Sequence, residues 1–300
     1  MRPLRSLVIY ILVVFVGGAL LAPLLHWAAV ALSGSHTTQI PFHRFVDRSL
    51  LGLALLGMWP LLKSLGAVSW RDIGLAGPQR RPQLWLSGFA LGFGSLAVIA
   101  GIVILAHGRS FDASLKAGVL GQKLLGAALS ALVVSILEEL LFRGAVFGSL
   151  RRIWNWRAAL MVSSMIYAMV HFLQKAEITG LIRWYSGLEL LPRMLAGFAD
   201  WPTVFPGFLN LTLAGILLGR AYQRTGNLYY SMGLHAGWIF WLKSYGTITR
   251  EVAGAPVWLF GSHKLIDGWL ALVVLALAFL VPAGAPGGPP NSPGQPKTSG

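Results

Sequence analysis

Long apolar runs separated by short charged segments form the main pattern of the chain. A helix needs about 20 apolar residues to cross the hydrocarbon core of a bilayer, and the runs approach or exceed that length. Eight spans are predicted, at residues 6–32, 49–66, 83–106, 124–150, 156–173, 204–220, 227–245 and 265–282. The pattern therefore predicts an all-α fold, a polytopic transmembrane helical bundle of about eight spans.

The longest connector between predicted spans covers residues 174–203. Apolar side chains recur there at helical spacing, and charged residues lie between them. The apolar positions are Ile178, Leu181, Ile182, Tyr185 and Leu188. This spacing predicts an amphipathic helix that lies in the membrane interface. The segment 283–300 is rich in Pro, Gly and Ser and is predicted to be a disordered tail.

Composition supports a membrane protein, with 55% of residues hydrophobic and 11% charged. The absence of cysteine excludes disulfides, thiolate metal ligands and a cysteine nucleophile. The net charge of +14 comes from basic residues that lie mostly at the ends of apolar runs. We therefore expect membrane lipids as partners, and no nucleic acid. The basic pairs Arg80/Arg81 and Arg151/Arg152 favour cytoplasmic termini, and we expect a bacterial cytoplasmic (inner) membrane.

A few ionisable residues interrupt the predicted spans, where each costs about 2.5 to 3.5 kcal/mol. They are Glu138, Glu139 and Arg143 in the fourth span, His171 in the fifth and His235 in the seventh. The offsets from basic span ends are 13 residues from Arg151 to Glu138, 14 from Arg157 to His171 and 11 from Arg224 to His235. At a rise of about 1.5 Å per residue, all three lie roughly 16 to 20 Å from one membrane face. We therefore expect an active site buried among the spans.

The two adjacent glutamates are predicted to have different roles. Glu139 and Arg143 are four residues apart on one helix face, in the order that favours an ion pair. Glu138 lies about 100° away around the helix and is left for chemistry. A carboxylate with two imidazoles can activate water for attack on an amide, either directly or through a divalent ion. The sequence has no HExxH motif, and a serine mechanism around GFGSL (92–96) is a weaker alternative.

Three segments together resemble a known protease family. They are EELLFRG (138–144), YAMVHF (167–172) and GFLNLTLAGILLGRAYQRTGNLYYSMGLHAGWIF (207–240). They are similar to the CPBP (ABI) intramembrane protease family, which includes the type II CAAX prenyl proteases, over roughly residues 120–245. The EExxxR motif is complete, whereas FxxxH begins with Tyr167 and HxxxN or HxxxD ends in Ile239.

The resemblance implies a role for each matching residue. Glu138 with His171 would activate the attacking water, Glu139 and Arg143 would support the site, and His235 would stabilise the oxyanion. A divalent metal, with zinc the expected ion, could bind Glu138, His171 and His235, and a metal-free glutamate mechanism stays open beside it. Because Ile239 is apolar where the motif has Asn or Asp, we expect one of three outcomes. The chain cleaves its substrate slowly, it uses another polar group such as Asn210, or it is inactive.

The predicted function is an intramembrane endopeptidase that cleaves a membrane-associated peptide. Prenylated CAAX-type peptides, bacteriocin leaders and membrane-protein segments are all compatible substrates. The alternative is a catalytically silent scaffold, an immunity factor or a transporter, although a transporter would be expected to show two similar halves. We divide the chain into N-terminal helices (1–119), a protease core (120–245), a final helix (246–282) and the tail. The first three spans could serve as a lid or as an anchor.

Overall fold

Helices make up most of the computed structural model, which describes residues 2–33, 40–66, 69–75 and 81–281. The α-helices are α1 (Arg2–Leu12), α2 (Gly18–Ser33), α3 (Phe42–Ser64), α4 (Arg81–Leu105), α5 (Ala117–Glu139), α6 (Gly148–Leu150), α7 (Trp156–His171), α8 (Ser186–Met194), α9 (Trp201–Thr225), α10 (Tyr229–Ile248), α11 (Val257–Phe260) and α12 (Trp269–Ala278). Two π-helices (Val13–Gly17, Leu140–Phe147) and two 3-10 helices (Trp70–Ile73, Leu195–Phe198) complete the helical part. The predicted all-α class is confirmed, while the tail and Arg80 lie outside the described residues.

Within the described ranges, five continuous helices are long and apolar enough to cross a membrane. They are Leu4–Ser33, Phe42–Ser64, Pro82–Leu105, Ala117–Leu150 and Trp201–Thr225. The other three predicted spans coincide with α7, α10 and α12. Of these, α7 has 16 residues and α12 has 10, fewer than the roughly 20 that a span perpendicular to the membrane needs. A helical membrane bundle is therefore supported, and the number of eight spans stays a prediction.

Close contact between α4 and α10 fixes the position of the helix that carries His235. Both helices have glycines four residues apart at the crossing, Gly88 and Gly92 on α4 and Gly233 and Gly237 on α10. A Cβ atom added at any of the four would overlap backbone atoms of the other helix. Such pairs of small residues let two helix backbones approach closely in a membrane. The third predicted span is thus a support for α10.

Tryptophan side chains of α10 add hydrogen bonds to the same crossing. Trp238 donates to the Ser95 hydroxyl and Trp241 donates to the Phe93 carbonyl, both at 2.9 Å. Ser95 in turn donates to the Gly92 carbonyl at 2.9 Å. The serine of the GFGSL segment therefore has a structural role between two helices, which argues against the serine mechanism.

A short antiparallel sheet joins the far ends of α4 and α10. Strand β1 (Arg109–Phe111) pairs with β2 (Thr249–Glu251), with Ser110 opposite Arg250. Beside the sheet, the Asp112 carboxylate forms an ion pair with Arg250 at 2.9 Å. Hydrogen bonds from Ser114 and Arg250 hold the pKa of Asp112 below its ordinary value. The sheet therefore ties the segment before α5 to the segment after α10.

The prediction of an interfacial helix over residues 178–188 is wrong for the first half of that segment. Helix α8 begins only at Ser186, and Gly180 has a φ of 108°, which is outside the helical region. The helix packs against α2, where Gly187 touches the Ala19 carbonyl so closely that a Cβ would overlap it. Leu190 is buried at that contact. The connector is therefore anchored to the bundle through α8.

Candidate active site

A buried ion pair forms the base of the candidate site. Glu139 ends α5 and is fully buried, and its Oε1 accepts a hydrogen bond of 2.8 Å from Arg143. Arg143 lies in the π-helix that continues α5, donates to the Gly215 carbonyl at 3.4 Å and lies over the Tyr167 ring at 4.5 Å. The predicted pair is confirmed, although the predicted α-helix becomes a π-helix at this point. Such wider turns are frequent at functional sites.

His235 extends this network from α10. Its Nδ1 lies 2.9 Å from Glu139 Oε1, and because a carboxylate only accepts, Nδ1 carries the proton. Its Nε2 lies 3.2 Å from the Tyr167 hydroxyl and 3.6 Å from Glu138 Oε2. The side chain is 4% exposed. Glu139 therefore fixes the orientation of His235 in addition to neutralising Arg143.

His171 approaches Glu138 from α7, of which it is the last residue. Its Nδ1 lies 2.7 Å from the carbonyl oxygen of Tyr167, so Nδ1–H is the donor and Nε2 is the free nitrogen of the neutral ring. Nε2 lies 3.7 Å from Glu138 Oε2. The imidazole is 30% exposed, which leaves it open to water or substrate.

Glu138 is the carboxylate on which the two histidines converge. Its side chain is 26% exposed, but Oε2 is buried and has no hydrogen-bond partner in the described structure. Both Nε2 atoms lie within 3.7 Å of this oxygen. The sequence-based prediction that Glu138, His171 and His235 come together is confirmed. Glu139 is fully buried by contrast, and the division of roles between the two glutamates stays a prediction.

Zinc was the metal expected at Glu138, His171 and His235. Among the described residues, no group of three or more His, Asp or Glu side chains has the arrangement of a metal site. The Tyr167 hydroxyl also faces the Nε2 atom of His235 that zinc would need. Zinc binding at these residues stays a prediction of the family resemblance.

Asn210, the candidate substitute for the missing polar group at position 239, has a structural role of its own. Ile239 itself is 6% exposed and packs with Ala131 and Ala236. Asn210 donates both amide hydrogens, to the carbonyls of Ile266 at 2.8 Å and Gly268 at 2.9 Å. Asn210 therefore holds the loop before α12 and has no donor left for a substrate oxygen.

Tyr167 is the functional candidate that sequence reasoning treated only as a departure from a motif. It is 2% exposed, and its hydroxyl contacts His235 Nε2. With His235 and Asn210 it lines a cavity of about 20 Å³, enough for roughly one water molecule. The sequence alone could have indicated this role, because Tyr167 adds a hydroxyl group at the position where the FxxxH motif has phenylalanine.

Part of the chain is similar to a known protein family. Residues 120–241 match the family model described as type II CAAX prenyl endopeptidase Rce1-like. This segment is therefore similar to the Rce1-like family. The match includes all five predicted site residues, Glu138, Glu139, Arg143, His171 and His235. Searches of curated proteins and of solved structures found no match.

The Rce1-like segment accounts for part of the bundle that surrounds the site. It begins within α5, contains α7 and α9 and ends at Trp241 within α10, whereas α4 and α12 lie outside it. The predicted resemblance to the CPBP proteases is confirmed for this segment. Five long apolar helices indicate an integral membrane protein, and the family model that matches residues 120–241 describes endopeptidases.

Proposed function

We propose that this protein is an intramembrane endopeptidase in which Glu138 is the general base. The observation that supports this proposal is the buried, unpartnered Oε2 of Glu138 within 3.7 Å of two imidazole Nε2 atoms. These separations are too long for direct hydrogen bonds, and a water molecule at this position can donate one hydrogen to Glu138 Oε2 and the other to His171 Nε2. A carboxylate at such a position can take a proton from water during attack.

Hydrolysis would proceed in two steps. The water oxygen attacks the scissile carbonyl carbon while Glu138 accepts one proton from the water. The second O–H group of the water donates a hydrogen bond to His171 Nε2. Glu138 then transfers its proton to the leaving amine, which breaks the C–N bond and regenerates the carboxylate. General acid–base catalysis of this kind contributes about 10² to 10⁴ in rate.

The oxyanion would be stabilised by Tyr167 and His235. A protonated His235 keeps its Nδ1–H on Glu139 and donates Nε2–H to the Tyr167 oxygen. The Tyr167 proton is then directed to the negatively charged oxygen of the tetrahedral intermediate. Both side chains are buried, and donors in a water-poor site stabilise such charge most effectively.

The proposed substrate is a membrane-associated peptide with a CAAX-type C-terminus. The description of the matching family supports this class, and the exposure of Glu138 and His171 gives a peptide access to the base. The proposed location is the bacterial cytoplasmic membrane, where the basic connectors would face anionic headgroups.

A cleavage assay in liposomes tests the proposal. The full chain is reconstituted and supplied with a prenylated CAAX peptide that carries a fluorophore and a quencher. Glu138→Gln is expected to lower kcat at least 100-fold, about the lower limit for loss of a general base. Glu189→Gln changes an exposed glutamate of α8 outside the site and is expected to have the activity of the unmodified protein. Absence of cleavage by the unmodified protein, or equal cleavage by Glu138→Gln, would favour a silent scaffold.

Chelation in the same assay tests the metal-free mechanism. Treatment with EDTA and 1,10-phenanthroline is expected to leave the rate unchanged, because no step of the proposed mechanism uses a metal. If the chelators abolish activity and zinc alone restores it, the metal-free mechanism is contradicted and a zinc-dependent mechanism is favoured.

A further inference from the structure

A groove of about 630 Å³ opens between α7 and α9, at the end of the bundle where α10 begins. It is distinct from the candidate active site and contains none of its residues. Its volume is within the range of about 300 to 1,000 Å³ that is typical of small-molecule sites. The groove is therefore large enough to receive a ligand.

One end of the groove is strongly basic. Arg157 lies at the start of α7, and Arg220 and Arg224 lie one turn apart near the end of α9. Within the described part of the chain, none of the ion pairs includes these three arginines. Arg157 lies over the Trp156 ring at 5.6 Å, and Arg220 lies over the Phe279 ring at 4.4 Å. Aromatic rings orient two of the cations and leave their charge uncompensated.

The connectors at the same end of the bundle do not supply the missing negative charge. Among the described residues of these connectors, 65–66, 69–75, 151–155 and 226–228, there are one acidic residue, Asp72, and three arginines. Asp72 interacts with Arg152, which lies outside the groove. The groove therefore has a net positive charge that calls for an anionic ligand.

The other end of the groove is apolar. Leu160 and Met161 on α7 face Ile216 on α9 across it, and Met161 is 48% exposed. All three lie further from the connectors than the arginines, along helices of a membrane bundle. A ligand that fills the whole groove needs an anionic head and a hydrocarbon chain.

We infer that this groove binds one anionic phospholipid. The phosphate lies against Arg157 and Arg224, since guanidinium groups form charge-assisted, often bidentate, hydrogen bonds with phosphate oxygens. One acyl chain runs along Leu160, Met161 and Ile216. Basic pockets between transmembrane helices are a known setting for anionic headgroups.

Lipid titration tests this inference without using proteolytic activity. The full chain is purified in detergent, titrated with dioleoyl phosphatidylglycerol and examined by native mass spectrometry. The unmodified protein is expected to hold one phosphatidylglycerol more tightly than dioleoyl phosphatidylcholine. The double variant Arg157→Gln/Arg224→Gln is expected to weaken this binding about 25-fold, at about fivefold for each arginine near a headgroup. Both arginines are exposed and outside the ion pairs, so this variant is expected to fold.

A matched double variant controls for the loss of charge. Arg44→Gln/Arg48→Gln removes two exposed arginines from the opposite end of the bundle, and is expected to bind phosphatidylglycerol as the unmodified protein does. Met161→Trp leaves the charge unchanged and is expected to weaken binding by filling the apolar end. Equal affinity for the two lipids, unchanged binding by Arg157→Gln/Arg224→Gln, or displacement of the lipid by equimolar inorganic phosphate would overturn the inference.

Discussion

Replacing Tyr167 by phenylalanine removes a single oxygen atom from the centre of the candidate site. The hydroxyl contacts His235 Nε2 at 3.2 Å, whereas the ring packs against Phe142 with centroids 5.1 Å apart and lies under the Arg143 guanidinium. The ring contacts survive the substitution. The stability loss is therefore limited to one hydrogen bond, a net of about 0.5 to 1.5 kcal/mol.

The expected effect on catalysis is much larger than the effect on stability. In the proposed mechanism Tyr167 donates the hydrogen bond that forms only once the oxyanion develops. Loss of one such donor lowers kcat by about 10² to 10³, which corresponds to roughly 2.7 to 4 kcal/mol of transition-state stabilisation. KM is expected to change little, since the interaction is absent from the bound substrate.

The measurement is the liposome cleavage assay, with kcat and KM determined separately and the melting temperature recorded for each protein. Tyr185→Phe is the matched control, because that hydroxyl bonds to Arg183 in the connector outside the site. An unchanged kcat for Tyr167→Phe would refute the oxyanion role of the hydroxyl.

A second substitution distinguishes catalysis from packing. Asn at position 239 lies one helical turn after His235, on the same face of α10, and restores the HxxxN pattern of the resemblance. Tyr167→Phe/Ile239→Asn is expected to recover at least tenfold in kcat over Tyr167→Phe, with a lower melting temperature because Ile239 is buried. Failure to recover in a folded double variant would argue against a shared role for the two positions.

Three further predictions concern stability. Glu139→Gln is expected to destabilise the protein by about 3 to 5 kcal/mol, because its arginine partner stays buried without a counter-charge, and Glu138→Gln is the control. Gly233→Ala is expected to lower the melting temperature because the new Cβ overlaps the Trp85 carbonyl, whereas Gly126→Ala in open space is not. Asp112→Asn is expected to lower the melting temperature at pH 7, because the lowered pKa of Asp112 makes its charged form stabilising. That difference disappears as the pH falls through the lowered pKa.

Each of these stability predictions has an outcome that would contradict it. Equal melting temperatures of the Glu138→Gln and Glu139→Gln proteins would show that the buried pair has no special role. A Gly233→Ala protein as stable as Gly126→Ala would mean that α4 and α10 can separate without cost. A melting difference for Asp112→Asn that persists under acid conditions would assign the effect to a contact other than the ion pair.

Much of the site follows from helix periodicity and rise, which are local properties. The pairing of Glu139 with Arg143 and the common depth of Glu138, His171 and His235 could be counted along the chain. Contacts between side chains of different helices could not be predicted from residue spacing. The hydroxyl of Tyr167 on His235 depends on how α7 and α10 are rotated about their axes, which spacing alone does not specify.

Local backbone deviations also escaped prediction, for a different reason. The π-helix at Leu140–Phe147 has the same apolar spacing as an α-helix over so short a segment, so hydropathy does not reveal it. In the connector, Gly180 breaks a helix that the apolar positions around it favour. A single backbone conformation therefore overrode a pattern of five side chains.

The glycine crossing of α4 and α10 has a consequence for how this protein can be divided. The Rce1-like segment begins at residue 120, yet the helix that carries His235 fits against a surface supplied by Gly88 and Gly92. A fragment cut at residue 120 would leave the glycine face of α10 open to lipid and free to rotate. The unit that can be transplanted or minimised is therefore larger than the unit that the family match identifies, and it begins at or before α4.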